Sequence, residues 1–234
     1  MDFFNYLVQA FEKTFIREAR YKMFLDGLGK TLLITVGATL LGVIIGALIA
    51  VVKTINKQSG KLKILNALCE VYTTVIRGTP VVVQLLIMYF IVFVNSTNSE
   101  LVGILSFGIN SGAYVAELMR AGINAVDIGQ TEAGRALGLS NKTTMLKIII
   151  PQAIKNVIPA IGNELIALIK ETSIVSMIGM YDLTQAAKII GAGNNMASYI
   201  VPMTVAACFY LAIVYALTFA IKAVEKRLRA GDRR

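Results

Sequence analysis

Charged and hydrogen-bonding side chains interrupt long apolar runs at three places in this chain, in patterns suited to electrostatic capture rather than bond-breaking chemistry. Arg77 lies in Val75-Ile76-Arg77-Gly78-Thr79-Pro80. Glu117 and Arg120 lie in Ala116-Glu117-Leu118-Met119-Arg120, three apart and therefore on one helix face. A third stretch holds Asn163 and Glu164, followed by Lys170-Glu171-Thr172-Ser173. A cation and a carboxylate a few ångströms apart can hold both ends of a zwitterion: Arg77 or Arg120 would attract a carboxylate, and Glu117 an ammonium group. The competing reading is structural, with Arg77 and Glu117 paired permanently. The two are compatible if the pair opens during a working cycle. Asn163, Thr172 and Ser173 complete the residues expected along a polar pathway. The chain has no histidine, and its two cysteines, Cys69 and Cys208, sit far apart in apolar sequence. That pattern favours neither a disulfide framework nor a metal site. With no nucleophile beside a base and no paired-carboxylate motif, no catalytic residue is expected.

These charges are expensive where they stand. Apolar residues make up 56% of the 234 residues and charged ones 16%, and several apolar runs approach or exceed the length that crosses a bilayer. A charge at mid-bilayer costs at least about 2.5–3.5 kcal/mol. Several in one small bundle must face one another or a wet cavity. Pro80 lacks a backbone donor and frees a carbonyl one turn earlier, near Ile76. Such irregularity is tolerated only inside protein or beside water, so the segment from Arg77 to Pro80 is expected on the inner face of the bundle.

The predicted fold class is all-α and polytopic, with five spans at about 26–54, 62–94, 101–123, 156–180 and 200–224. The Gly42-x-x-x-Gly46 pair in the first span would permit close helix contact. Three segments are expected: 1–22, an amphipathic interfacial helix; 23–225, a transmembrane domain with a polar loop at about 124–155; and 226–234, a basic tail. No cleavable signal peptide is apparent. The net charge of +9 is not a nucleic-acid footprint, because the bases cluster in short loops and at the end of the chain. Lys53, Lys57, Lys61 and Lys63 follow the first span, and Lys222, Lys226, Arg227, Arg229, Arg233 and Arg234 follow or end the fifth. Glu100 precedes the third span, and Asp182 with Lys188 follows the fourth. The positive-inside rule then predicts a plasma-membrane protein with its N-terminus outside and its C-terminus and polar loop in the cytoplasm.

The loop reads Thr131-Glu132-Ala133-Gly134-Arg135-Ala136-Leu137-Gly138, with Ile148-Ile149-Ile150-Pro151 ten residues on. Thr131 can cap a helix start, Glu132 suits a positive first turn, and Gly138 suits the left-handed position that ends a helix. A helix of about two turns is stable only when docked on something. The spacing resembles the EAA loop of importer-type ABC permeases, with Gly134 in place of the third Ala and Ile150 in place of Leu. With the run from Arg77 to Pro80, the run from Ala116 to Arg120, and Lys170-Glu171-Thr172-Ser173, the chain resembles the polar amino acid importer branch, which includes histidine, arginine and glutamine permeases. The resemblance covers about residues 20–225.

The resemblance implies five core spans, a pore made with a second permease subunit (a homodimer or a paralogue), a pair of ATP-binding ABC ATPase subunits, and a separate extracytoplasmic solute-binding protein. It implies that the segment from Thr131 to Gly138, Leu137 included, seats on the ATPase, with Glu132 anchoring the short helix and Arg135 pairing with an acidic residue of the partner. ATP-Mg would belong to that partner, so no cofactor is expected here. Gly29-Lys30-Thr31 matches the tail of a phosphate-binding loop, but Phe24 stands where the required glycine would be. The substrate class is a polar or charged amino acid, with cystine also in range. An ion-coupled secondary transporter of small polar solutes is the alternative, though such proteins usually show internal repeats, and five spans do not halve. A membrane-embedded enzyme and a pure scaffold subunit are the weaker alternatives.

Overall fold

A computed structural model describes residues 3–192 and 199–230. Arg233 and Arg234 of the expected tail, and Met1 and Asp2 of the expected interfacial helix, lie outside the described residues. Among those described, four helices are long and apolar enough to cross a bilayer, and a bent pair makes a fifth span. The all-α, five-span expectation holds, with three differences.

The first difference is at the N-terminus. Instead of one amphipathic helix, α1 (Phe3–Phe11) gives way to a π turn and a 3₁₀ turn ending at Ala19, with Glu18 and Ala19 at positive φ. The cause is aromatic docking. Phe15 sits 6.1 Å from Phe24, which stacks at 5.9 Å on Phe209, so the segment folds back onto the bundle.

The second difference is length. The first span, α2, runs Tyr21–Ser59, 39 residues. No proline interrupts it before Gly60, which ends it in the left-handed conformation at φ 65°. At 1.5 Å per residue α2 is about 58 Å long, so its last turns, carrying Lys53 and Lys57, project beyond a bilayer core as helix rather than loop.

The third difference is the second span, which is broken. α3 (Lys63–Gly78) and α4 (Val81–Ile87, continued by a π turn, Met88–Val92) meet at 106°. Thr79 is extended, the conformation that a following proline favours, and Pro80 carries no N–H to continue the ladder.

The remaining spans are α5 (Ser99–Asn124), α8 (Ile150–Glu171, extended by a 3₁₀ turn, Thr172–Ile178) and α10 (Ile200–Arg229). Between them lie α6 (Ile128–Ala136), α7 (Asn141–Thr144) and α9 (Leu183–Gly191). The longest helix–helix interface joins α2 to α5. Gly42 and Gly46 make it possible: a Cβ on Gly46 would stand 2.8 Å from the Ala116 backbone nitrogen, and one on Gly42 2.9 Å from Ser111 Cβ. Ile34, Ala38, Leu85, Phe107, Leu168 and Val175 fill the core between α2, α4, α5 and α8. The outward row Leu33, Val36, Leu40, Ile44 and Leu48 is uncovered, as a lipid-facing stripe must be.

Candidate functional site

Arg77, Glu117 and Arg120 do converge, and two residues not expected along the pathway, Lys53 and Glu70, join them. The Glu117 carboxylate accepts hydrogen bonds from Arg120 Nε at 2.9 Å and Nη2 at 2.7 Å, and from Lys53 Nζ at 3.3 Å. Arg77 Nη1 stands 3.8 Å away, and its guanidinium lies 5.5 Å from the Tyr114 ring centroid. Lys53 also reaches Glu70 Oε1 at 3.2 Å. One lysine on α2 thus bridges carboxylates on α3 and α5. Lys53 was expected among loop cations; α2 runs to Ser59, five residues past the expected end of the span, so Lys53 is held in helix with its side chain only 11% exposed. The Arg77 side chain is 44% exposed, so in the single chain the segment from Arg77 to Pro80 is not enclosed as expected.

The carbonyl freed by Pro80 has found a partner. Gln84 Nε2 donates to Ile76 O at 2.8 Å and to Thr79 Oγ1 at 2.8 Å, while Gln84 Oε1 accepts from Asn110 Nδ2 at 2.9 Å. The break is therefore pinned to α5 by a polar pair between spans, Asn110 buried and Gln84 half-buried. The hydroxyl of Tyr72 on α3 donates to the carbonyl of Ile109 on α5 one turn away. The signal for Gln84 and Asn110 was present as polar residues inside apolar spans, where they are costly unless satisfied.

The other pathway residues are elsewhere. Thr172 is fully buried and donates to Ile169 O at 2.7 Å; Ser173 donates to Lys170 O at 2.6 Å. Both hydroxyls serve the transition from α-helix to 3₁₀ turn, so Thr172 does not line a pathway. Ser111 on α5 donates to Glu164 on α8 at 3.0 Å, which sets the level of the two helices. From that level, Glu117 lies six residues one way and Thr172 eight the other, about 20 Å apart along the bundle. Asn163 is exposed on α8, next to Glu164 and about 7.5 Å from the level of Glu117.

At the opposite end of the bundle from α6, Asp182 and Lys188 are not the solvated loop charges they were expected to be. Asp182 is fully buried; it accepts Gln185 N at 2.7 Å, capping α9, and the Tyr210 hydroxyl at 3.3 Å. Burial pushes its carboxyl above the usual carboxylate range. Lys188 donates to Ser176 Oγ at 3.0 Å.

The loop helix forms, with a different start. Asp127 caps α6, accepting Gly129 N at 2.6 Å, because an acceptor four residues upstream of Thr131 nucleates the helix first. Thr131 and Glu132 are consequently interior positions and not a cap and a first-turn acid. Gly138 has φ 72° and closes the helix as expected: its N–H donates to Arg135 O at 2.9 Å and the Leu139 N–H to Gly134 O at 3.0 Å. Gly134 is buried against α7, where a Cβ would stand 2.7 Å from Thr144 Cγ2, so glycine at this position allows close seating. Ala133 and Arg135 are exposed, Ile128 and Leu137 are 74% and 78% exposed, and Glu132 makes no bond or ion pair among the described residues. Glu132 therefore does not anchor α6 within this chain. Between α6 and the ends of α2 and α3 lies a cavity of about 850 Å³, lined by Lys53, Lys57, Arg120 and Arg135 among others.

Comparison with known proteins agrees with this architecture. The chain is 42% identical over 207 residues to a putative glutamine transport system permease protein of Rickettsia prowazekii, covering 87% of this chain and 92% of that one. It is 39% identical over 217 residues to an arginine transport system permease protein of Bacillus subtilis, covering 89% and 93%. Among solved structures, an amino acid ABC transporter crystallised with histidines matches at TM-score 0.82 and 38% identity over 97% of this chain and 99% of that one. An inward-facing methionine ABC transporter matches at TM-score 0.74 and 20% identity, covering 90% and 98%, a likeness of fold. Residues 38–230 match the family model of the inner membrane component of binding-protein-dependent transport systems. The chain, a multi-pass membrane protein, belongs to that family.

Proposed function

We propose that this chain is the transmembrane permease subunit of an ATP-driven importer of polar amino acids, working with a separate ATPase, a second permease subunit and an extracytoplasmic solute-binding protein. The observation that carries the reading is α6. It is a capped helix of nine residues held between two spans, with Ile128 and Leu137 uncovered and Glu132 unpaired. Such a helix gains its stability by docking, and an ATPase groove is the partner that fits a chain with no nucleotide-binding loop of its own. The α6 side faces the cytoplasm on this reading and the N-terminus faces outside, as the clustering of Lys57, Lys61, Lys63 and the bases of α10 supports.

Closure of the ATPase would move α6, and α5 ends only four residues before it. Glu117 lies seven residues before the end of α5, so a tilt of this rigid helix shifts its carboxylate directly. Arg120 moves with Glu117 on the same helix; Lys53 follows through the close α2–α5 seam. Arg77 belongs to the end of α3 at the break, is the most distant of the three cations and is partly solvated. The Arg77–Glu117 contact is thus the one that parts at least cost, which frees a guanidinium for a substrate carboxylate as the pathway opens. Glutamine, arginine and cystine appear in the names of similar permeases, so the substrate class is amino acids with polar or charged side chains.

The test is uptake into vesicles carrying the purified permease with its ATPase and binding protein. Uptake should require internal ATP and persist after ionophores collapse ion gradients. Uptake abolished by ionophores and indifferent to ATP would favour an ion-coupled secondary transporter and end this reading.

A further inference from the structure

The uncovered face of α8 is polar at a depth where lipid cannot satisfy it. Ser111 lies near the middle of α5 and donates to Glu164, so Glu164 marks the middle of the bilayer on α8. Asn156, Asn163 and Lys170 are exposed and seven residues apart, a spacing that sets them almost in line along the helix. Asn156 and Lys170 stand about 12 Å and 9 Å on either side of the Glu164 level, inside a hydrocarbon half-thickness of about 15 Å. Ala160 and Ala167 lie between them on the same face, leaving room for a second helix to approach. Polar groups at this depth need protein or water opposite them. Among the described residues the Lys170 side chain has no carboxylate, and Glu171 no cation, within ion-pair distance.

The order of the charges says what stands opposite. Lys170 and Glu171 are adjacent and point about 100° apart, so they flank the uncovered face from its two sides. A two-fold axis parallel to α8 turns such a pair through half a circle. It sets the lysine of each helix opposite the glutamate of the other, at heights about 1.5 Å apart. One heptad earlier the same order recurs, with Asn163 as donor and Glu164 as carboxylate. Ser111 occupies only Glu164 Oε1, which leaves Oε2 free to accept. Two self-complementary rungs on one helix are what an interface between identical surfaces demands. A subunit of different sequence would not need both members of each pair to be present in this chain.

We propose that the second permease subunit is another copy of this chain, its α8 facing this α8 about a two-fold axis. Lys170 pairs with the partner's Glu171, and Asn163 donates to the partner's Glu164. The inference rests on the two-subunit permease proposed above and deepens it. The Lys170 rung lies about 18 Å from the level of Glu117, toward the end of the bundle away from α6. Substrate arriving from outside passes this rung before it reaches the charged cluster, so the pairs part when the pathway opens outward.

The experiment uses the complete permease–ATPase complex in membrane vesicles, with Cys69→Ala and Cys208→Ala removing the native thiols. In that background Ala167→Cys should yield a covalent permease dimer with a short bifunctional thiol reagent, because position 167 faces its own copy. Leu40→Cys, on the lipid-facing stripe of α2, should stay monomeric. Lys170→Glu and Glu171→Lys should each lower ATP-driven uptake about tenfold at equal permease content, since each sets like charges across the axis. The double exchange should recover uptake to within about threefold of the parent. Within one copy the two side chains do not meet, so recovery reports a contact between copies. Absence of the covalent dimer, or a double exchange as poor as either single variant, overturns the proposal. A co-purifying permease of another sequence does so too, in favour of a paralogue. ATP-dependent uptake with neither cross-link nor recovery sinks this proposal alone, whereas a cross-linked dimer whose uptake ignores ATP sinks the importer reading instead.

Discussion

Lys53→Met should be the most damaging single substitution in the charged cluster, worse than loss of the arginine at the helix break. Lys53 Nζ stands 3.2 Å from Glu70 Oε1 and 3.3 Å from Glu117 Oε1, with 11% of its side chain exposed. Each contact has a gross Coulomb energy of about 5 kcal/mol at an effective dielectric of 20, largely offset by desolvation of the ammonium. The net cost of removal comes from the carboxylates left behind, for which about 3–5 kcal/mol is typical in buried settings. Here the low end applies. Glu117 keeps Arg120 at 2.7 Å, and Glu70, 55% exposed, can rehydrate. A loss of about 3 kcal/mol corresponds to a melting shift of about 6–12 °C for a chain of this size. Arg77→Ala removes a contact at 3.8 Å from a side chain 44% exposed and should cost no more than about 1 kcal/mol. Its uptake should nonetheless fall about tenfold or more if Arg77 is the cation that meets substrate, a drop of about 1.4 kcal/mol in the transport step. Thermal scans of the purified permease in one detergent at fixed scan rate, paired with uptake in vesicles, read both quantities. A cycle of Lys53→Met, Glu117→Gln and the double variant should show coupling of about 1–3 kcal/mol. Additive losses, or an Arg77→Ala protein less stable than Lys53→Met, would refute the bridge.

Three further outcomes are expected. Gly46→Ala should destabilise by about 1–3 kcal/mol, because its Cβ meets the Ala116 backbone nitrogen at 2.8 Å and the helices must part; Gly29→Ala, with nothing within 4 Å, should be neutral or mildly stabilising in the same thermal scan. Gly138→Val strains a position at φ 72° by about 1–2 kcal/mol and should weaken ATPase co-purification while membrane insertion is kept; Gly60→Val, equally strained at φ 65° but outside the turn that closes α6, should leave co-purification intact. Burial raises the Asp182 carboxyl pKa above its unfolded value, so its contribution is fully present below the ordinary Asp range and is lost as pH rises through the raised value. Melting temperature should fall across that window in the native protein, and Asp182→Asn, which keeps a capping oxygen, should flatten the slope.

Much of the molecule was legible because bilayer physics is written locally. Apolar run length marks a span, the Gly78-Thr79-Pro80 run marks a break, and an unpaired charge in an apolar run marks a place where helices must meet. Pro80 announced the freed Ile76 carbonyl before its partner was known. The Gly42–Gly46 pair announced a close helix seam without saying that α5 fills it. Gly138 announced the end of α6. The start of α6 was misread because Thr131 and Asp127 are both good caps, and the choice between them depends on where α5 stops.

The amino-acid sequence alone determined the spans and the loop helix, since each follows from residue type and short-range spacing, and it pointed to a meeting of Arg77 with Glu117 through the cost of isolated charges in apolar runs. Tertiary structure decided which partner each polar group takes. Lys53 reads as a loop base until α2 is seen to continue unbroken to Ser59 and deliver it between Glu70 and Glu117. Asp182 reads as a loop acid until α9 packs it beneath Tyr210, and Thr172 reads as a pathway hydroxyl until its own helix claims it. The reason is physical: in a low-dielectric bundle a polar side chain bonds whatever neighbour packing supplies, and packing is a property of residues far apart in the chain.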